Sequence, residues 1–339
     1  MLIILFTPMI FTIMGIKTEP TTENEKKISL NFKRNFPLKE DLFKLYRDVK
    51  VNFFKTDPIP NRVIDLNNGW KFLGNDFSNA LSESKGLLNF SQKELNVLKT
   101  KLAERKNWLD KQNIKFYLAV APNKHTYYGD MIPIKKKNKP TKANQVDSLC
   151  NLLGINYIDL GSKFPKDKSL RLYHKTDTHW NDYGGFFAYQ ATFEAFERDF
   201  KNTNFNTYKL EDLELVINNE PIGDLNGMLF LKKSEDYIRL KFKTPYKARL
   251  LEKKLSIPFK YNKDPKKYET RYETDINDLK ILIFNDSFFG YYSKYLKENF
   301  GNSVFIWNYK FDKEIIASEK PDILYHEILE RDLDVLLED

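Results

Sequence analysis

A single cysteine among 339 residues excludes an intrachain disulfide framework, so the hydrophobic core has to hold the fold together. Histidine is also scarce, with four residues. His174 and His179 flank Asp177, but that spacing fits no common zinc pattern, and Cys150 is the one available thiol. No metal and no cofactor is expected. Nothing in the chain interleaves basic and aromatic residues as nucleic-acid readers do. The net charge of +8 comes from lysines scattered among Asn, Ile, Phe and Tyr, and the densest run, Lys135–Lys139, precedes Pro140 like a solvated loop. Long apolar runs are missing as well. Leu2–Ile16 is apolar apart from Thr7 and Thr12 and is interrupted by Pro8. As a helix it would span about 22 Å, short of the roughly 30 Å hydrocarbon core. No Lys or Arg precedes it and no small-x-small cleavage site follows. We read residues 1–16 as a signal or anchor segment that stays attached, with membrane association at the N-terminus. Residues 17–35 read as a polar linker, with the remainder outside the cytoplasm.

Hydrophobic residues make up 41% of the chain and charged residues 30%, the balance of a globular protein. Pro37–Phe54 carries a helical pattern. Val63–Leu66 and Trp70–Leu73 flank Asn67-Asn68-Gly69 as a β-hairpin. Ser91–Gln112 predicts an amphipathic helix with Ser91 as N-cap and Glu94 completing a capping box. A strand follows over Lys115–Ala121, then a helix over Gln145–Leu153 and a strand over Ile155–Leu160. Asn181 or Asp182 would cap a helix whose stripe Phe186, Phe187, Tyr189, Phe193 and Phe196 is core material. From about 202 to 278 the pattern loosens into short, partly β runs around the turn-like cluster Gly223–Met228. Alternation then resumes with strand Lys280–Phe284, helix Phe288–Asn299, strand Ser303–Trp307, a short helical link, strand Ile323–Tyr325 and a tail helix through Glu330-Arg331. Strands alternating with helices predict a mainly parallel sheet covered on both faces.

The chemistry centres on Thr176–Gly185. In an extended or looped segment Asp177 and His179, two residues apart, share a side. Asp177 can then accept the Nδ1–H of His179 and leave Nε2 free as a base. Ser287 follows the strand Lys280–Phe284 at a strand-to-helix turn, where free backbone N–H groups would hold an oxyanion. Together these residues predict a Ser-His-Asp acyl-transfer site. The loop Pro122-Asn123-Lys124 sits at the end of a strand, where open α/β sheets place ligands. Asn123 is a candidate oxyanion donor and Lys124 a candidate anion contact, though a polar loop without a role accounts for either. Trp180 and Tyr183 are candidate substrate contacts or core.

Laid out in this order, the residues resemble the SGNH-hydrolase-like acetyltransferases of exopolysaccharide O-acetylation, the alginate O-acetyltransferase (AlgX/AlgJ-type) family. The resemblance runs from about Phe36 to the end. It is carried by Asn68–Phe72, Pro122–Lys124, Asp177–Trp180, Gly223–Leu225, Asp286–Phe288, Pro321–Ile323 and Glu330-Arg331. It implies a three-layer α/β/α domain over residues 36–339 with a mainly parallel sheet and an irregular, partly β insertion at about 202–278. Ser287 would be the nucleophile, His179 the base and Asp177 its orienting acid. A polysaccharide acceptor, an acetyl donor supplied by a membrane-bound O-acyltransferase and a periplasmic location are also implied. Asn285 stands where the family usually has Gly, and its tolerance of left-handed backbone angles would preserve the elbow. A carbohydrate acetyl esterase using the same triad, and a non-catalytic glycan-binding scaffold of an export complex, are the alternatives.

Overall fold

The computed structural model describes residues 39–66, 68–220, 223–252, 255 and 268–338. The expected anchor and linker, residues 1–35, lie outside the described residues, as does Asn67 of the hairpin turn. No helix among the described residues is long and apolar enough to cross a membrane. The chain groups into two units that divide after Pro58. In the first, helix α1 (Lys39–Asp48) has Glu40 and Asp41 in its first turn and Arg47 in its last, which suits the helix dipole. A π-helical turn, Val49–Phe53, continues it.

The second unit opens with β1 (Val63–Asp65) and β2 (Lys71–Leu73), paired antiparallel as the hairpin pattern predicts. Short helix α2 (Ala80–Ser84) leads to α3 (Gln92–Asp110). The Ser91 side chain accepts from the Glu94 N–H, and the Glu94 carboxylate accepts from the Ser91 N–H, closing the capping box. Then come β3 (Lys115–Ala121), α4 (Lys124–Tyr128), α5 (Lys142–Leu153), β4 (Asn156–Asp159) and α6 (Asp182–Asp199). Asn181, not Asp182, caps α6, its side chain accepting from the N–H groups of Tyr183 and Gly184. β5 (Leu213–Glu220) and β6 (Glu235–Phe242) form a separate hairpin around α7 (Asp224–Met228). β7 (Arg249–Leu251), β8 (Glu269–Glu273), β9 (Lys280–Asn285), α8 (Ser293–Leu296), β10 (Asn302–Trp307), α9 (Lys313–Glu319) and β11 (Ile323–Leu329) follow, with a 3-10 run, Glu330–Leu337, in place of the tail helix.

The main sheet has seven strands in the order β4-β3-β11-β9-β10-β8-β7. β4, β3, β11, β9 and β10 run parallel, and β8 and β7 are antiparallel at one edge. Period-two alternation sends Tyr117, Ala119, Ile281, Ile283 and Tyr325 to one face, where α6 contributes its Phe and Tyr stripe. Phe116, Leu118, Leu282, Phe284 and Leu324 go to the other, against α3, α5 and α9. The result is the three-layer α/β/α architecture, with β9, the strand before Ser287, at the centre of the sheet.

Three details depart from the sequence expectations. The stretch 202–278 is not all peripheral, because β7 and β8 complete the main sheet. Phe288–Asn299 is a 3-10 turn, Phe289–Tyr291, followed by the short α8. Phe288, Phe289 and Tyr292 are all buried in this turn. β11 runs on to Leu329, and every residue in it is buried.

Strand β8, next to the edge strand β7, is pinned by charge. The Arg271 guanidinium, 2% exposed, donates from Nε to Glu269 (2.7 Å) and in bidentate fashion to Glu319 on α9 (2.6 and 3.0 Å). Arg271→Met would take the guanidinium from buried Glu269 and leave Glu319 with the Lys280 ammonium. It should cost about 3–5 kcal/mol in urea unfolding, the range for breaking a buried pair on one side.

Candidate active site

Asp177 and His179 lie at the tip of a loop closed by pairing of Tyr173 with Trp180. Its base is tied by the His174 N–H to the His179 carbonyl (3.2 Å) and the Asn181 N–H to the Leu172 carbonyl (2.8 Å). The tip itself is held from outside. The Glu235 carboxylate accepts from the Lys175 and Thr176 N–H groups (2.9 and 2.7 Å). The Asp224 carboxylate accepts from the Thr178 N–H (2.8 Å) and hydroxyl. The Leu225 and Asn226 N–H groups, at the start of α7, donate to the Thr176 carbonyl (3.1 and 3.2 Å). That approach requires Gly223, because a Cβ there would come within 2.4 Å of the Thr176 carbonyl oxygen.

Within this cradle, Asp177 Oδ1 accepts from the His179 N–H (2.9 Å) and lies 2.7 Å from His179 Nδ1. Its Oδ2 accepts from the Asp224 N–H (3.0 Å). Burial pushes the Asp177 carboxyl up, but the bonds and charge of His179 and the backbone N–H groups outweigh it and hold the group well below the usual carboxylate range. Asp224, equally buried and facing the Asp177 charge, is shifted up. On the other side of the ring, His179 Nε2 is 2.7 Å from Ser287 Oγ. Phe288 and Tyr291 pack against the imidazole at centroid distances of 4.8 and 6.0 Å. Asp177, His179 and Ser287 therefore form a continuous hydrogen-bonded chain of acid, imidazole and hydroxyl, the arrangement that activates a serine oxygen.

The remaining candidates separate. Asn123 is 1% exposed; its N–H donates to Glu330 (2.9 Å) and its Oδ1 accepts from Arg331 (3.4 Å). Its Nδ2 is buried without a partner. The Lys124 ammonium is not a substrate contact, because its three donors are spent on the carbonyls of Lys71 (2.6 Å), Lys175 (3.0 Å) and Asp177 (3.0 Å). Burial lowers its pKa to about 7 against the opposing pull of Glu235, Asp224 and Asp177. Trp180 is fully buried, its indole N–H donating to the Phe288 carbonyl (3.0 Å), so it is a brace and not a binding surface. Tyr183 is half-buried against the core. Asn285 is a strand-end residue whose Nδ2 donates to the Ile306 carbonyl (3.0 Å), and its φ is not positive. The elbow therefore forms without a left-handed residue, and Asn in place of Gly costs no strain.

A metal set of His174, Asp177 and His179 is not assembled, because His174 turns away to stack on Tyr237 at 3.8 Å. Donor atoms of Asp177, His179 and Asp224 do lie within 4.8 Å of one another. Both carboxylates already accept hydrogen bonds, which a cation would have to displace.

Beneath the nucleophile lies a pair of acids that sequence reasoning missed. Asp286 Oδ1 accepts the Phe288 N–H (2.7 Å), forming the turn that presents Ser287. The Asp286 N–H donates to Glu327 of β11 (3.3 Å). Asp286 Oδ2 and Glu327 Oε1 are buried with no hydrogen-bond partner. Burial raises Asp286 to about 6. Burial, then the Asp286 charge, raises Glu327 well above the carboxylate range. Both folded values exceed the unfolded ones, so the native state holds more protons. This contribution is complete below about pH 4 and is lost as pH rises through the folded values. Glu327→Gln mimics the protonated acid. Its unfolding free energy from urea titration should exceed that of the wild type increasingly from pH 5 to pH 8, by about 1–3 kcal/mol, the size of a buried unsatisfied polar group.

A search of curated proteins finds no match. Among solved structures, the chain is similar to Bacillus cereus PatB1 with a sulfonyl adduct, with TM-score 0.59 and 15% identity over 80% of this chain and 95% of that one. It is similar to a DHHW family protein from Eubacterium siraeum, with TM-score 0.54 and 13% identity over 81% and 91% of the two chains. It is also similar to Pseudomonas aeruginosa AlgX, with TM-score 0.51 and 13% identity over 80% of this chain and 62% of that one. At such identities these likenesses show the fold. The family model for the SGNH hydrolase-like domain of the acetyltransferase AlgX matches residues 67–255, from the hairpin turn through Asp177, His179 and Asp224 and ending before Ser287. With more than half of its length covered by that model, the chain belongs to the AlgX family of SGNH hydrolase-like acetyltransferases.

Proposed function

We propose that the protein is an O-acetyltransferase that acts on a cell-surface or exported polysaccharide through an acetyl-Ser287 intermediate. The observation that carries this reading is the unbroken chain from Asp177 through His179 to Ser287, with 2.7 Å at each imidazole nitrogen. His179 Nε2 takes the Ser287 proton as Oγ attacks the carbonyl carbon of a donor acetyl ester. The same proton passes to the leaving alkoxide as the ester C–O bond breaks. His179 then takes a proton from a sugar hydroxyl, which attacks the acyl-serine and releases Ser287 Oγ to be reprotonated. Asp177 keeps Nδ1 protonated throughout. The unpartnered Asn123 Nδ2 supports a role as oxyanion donor beside the backbone N–H groups at Ser287. Glu330 and Arg331 would fix its orientation. In this reading the N-terminal segment keeps the catalytic unit on the periplasmic side of the inner membrane, where a membrane-bound O-acyltransferase supplies acetyl groups.

Incubation with an activated acetyl ester should add one acetyl group to the wild type, mapped to Ser287 by intact-mass and peptide mass spectrometry. Ser287→Ala should show none. If added glycan yields only free acetate and no acetylated sugar, the protein is an esterase. Absence of any adduct and of ester turnover would favour a glycan-binding scaffold. Asp177→Asn should fold normally and lower turnover by about 10³–10⁴-fold, the loss expected when the tautomer is no longer enforced. Unchanged turnover in that variant would remove the triad.

A further inference from the structure

Ser287 opens into a cleft of about 190 Å³ whose far wall is aromatic. Pocket volumes for drug-sized ligands begin at about 300 Å³, so this space suits one ring rather than a chain. Its wall is one face of the sheet edge. Along β10, Phe305 and Trp307 point the same way, and the parallel register sets Trp307 directly beside Asn285, two residues before the nucleophile. On β8, Thr270 lies opposite Phe305, and Tyr268 and Tyr272 flank it at the same two-residue period. The Tyr268 and Trp307 rings meet edge to face with centroids 5.5 Å apart. Phe305, beneath them, is buried, but Trp307 remains 36% exposed. A tryptophan with a free edge, beside tyrosine and threonine hydroxyls and one residue pair from a reactive serine, is a platform for the C–H face of a sugar, with hydroxyls placed to orient it.

The charge of the lining narrows the ligand. Among the described residues that line the cleft there is no Lys or Arg. Its one acid, Asp286, is 3% exposed and its Oδ1 is bound to the Phe288 N–H. Lys297 lies over the Tyr272 ring but does not line the space. Among the described residues that line the cleft, a uronate carboxylate would meet no cation. We infer that this cleft is the acceptor subsite, holding one uncharged pyranose ring stacked on Trp307 with its hydroxyl directed at Ser287. The inference rests on the acyl-transfer reading for the fate of that hydroxyl, but not for the binding itself. It also gives the 202–278 stretch a purpose, since β8 supplies Tyr268, Thr270 and Tyr272 and the Arg271 clamp on the opposite face holds them in place.

The test is calorimetric titration of the wild type with two uncharged tetrasaccharides, cellotetraose and chitotetraose, and with tetramannuronate. At least one uncharged tetramer should bind, and more tightly than the uronate. Trp307→Ala and, independently, Tyr268→Ala should weaken that binding by about tenfold or more, as loss of an aromatic anchor does. Trp307→Phe should restore most of it. Circular dichroism melts establish that each variant is folded. No binding of either uncharged tetramer, binding undiminished in folded Trp307→Ala, or equal or tighter binding of tetramannuronate would overturn the assignment. The Ser287 acetyl adduct, measured on the same wild-type protein, keeps the two ideas apart. An adduct without Trp307-dependent binding overturns the subsite alone, and Trp307-dependent binding without an adduct supports the subsite and overturns acyl transfer.

Discussion

The bond from the Trp180 indole N–H to the Phe288 carbonyl, 3.0 Å long and buried, is the constraint on which the site depends. Trp180 directly follows the base and Phe288 directly follows the nucleophile, and His179 and Ser287 are 108 residues apart in the chain. One hydrogen bond between the neighbours of two reactive residues therefore sets the distance between them. Aromatic contacts stiffen it, because the Trp180 ring packs edge to face on Phe288 at 5.1 Å and on Tyr292 at 5.9 Å. Helix α6 closes on the same segment. A Cβ at Gly185 would come within 2.6 Å of the Tyr291 carbonyl oxygen, so the glycine is what lets helix and nucleophile loop touch.

The loop that carries the base is held by charged and polar groups taken out of water, which are costly unless fully paired. Lys124 gives its ammonium to three backbone carbonyls. Glu235 and Asp224 receive backbone N–H groups from the same short stretch. A loop cannot satisfy its own peptide groups as a helix does, so a buried loop tip needs partners from elsewhere. Here they come from α4, from α7 and from β6. Some groups close to Ser287 are less satisfied. Asn123 Nδ2 and the oxygens of Asp286 and Glu327 lack partners. Imperfect satisfaction at those positions is where a reacting oxygen or a retained proton can be accommodated.

Much of the site was legible because its decisive contacts are local. The Asp177–His179 pairing spans two residues, and the Ser91–Glu94 capping box spans three. The apolar runs of β3 and β9 are the signature of strands covered on both faces. The misassigned residues are those whose partners are distant. Lys124 reads as an anion contact or a plain loop residue until the hairpin and the base loop surround it, and Trp180 as a substrate contact or core until Phe288 covers it. Glu327, inside a wholly buried strand, gives no signal of its own, because its role exists only once β11 lies beside β9. β8 escapes notice for the same reason, since a short strand is defined by the neighbours it pairs with.

By itself the chain determined most of the elements, their alternation, the candidate nucleophile, base and acid, and the local pairing of Asp177 with His179. These follow from period, capping and near-neighbour chemistry, which act over a few residues. Tertiary structure alone decided that base and nucleophile meet, that Lys124 is a clamp, that two acids share a buried space beneath the elbow and that an aromatic wall faces Ser287. Each of those depends on packing between segments tens to hundreds of residues apart, and no local preference encodes the partner that arrives.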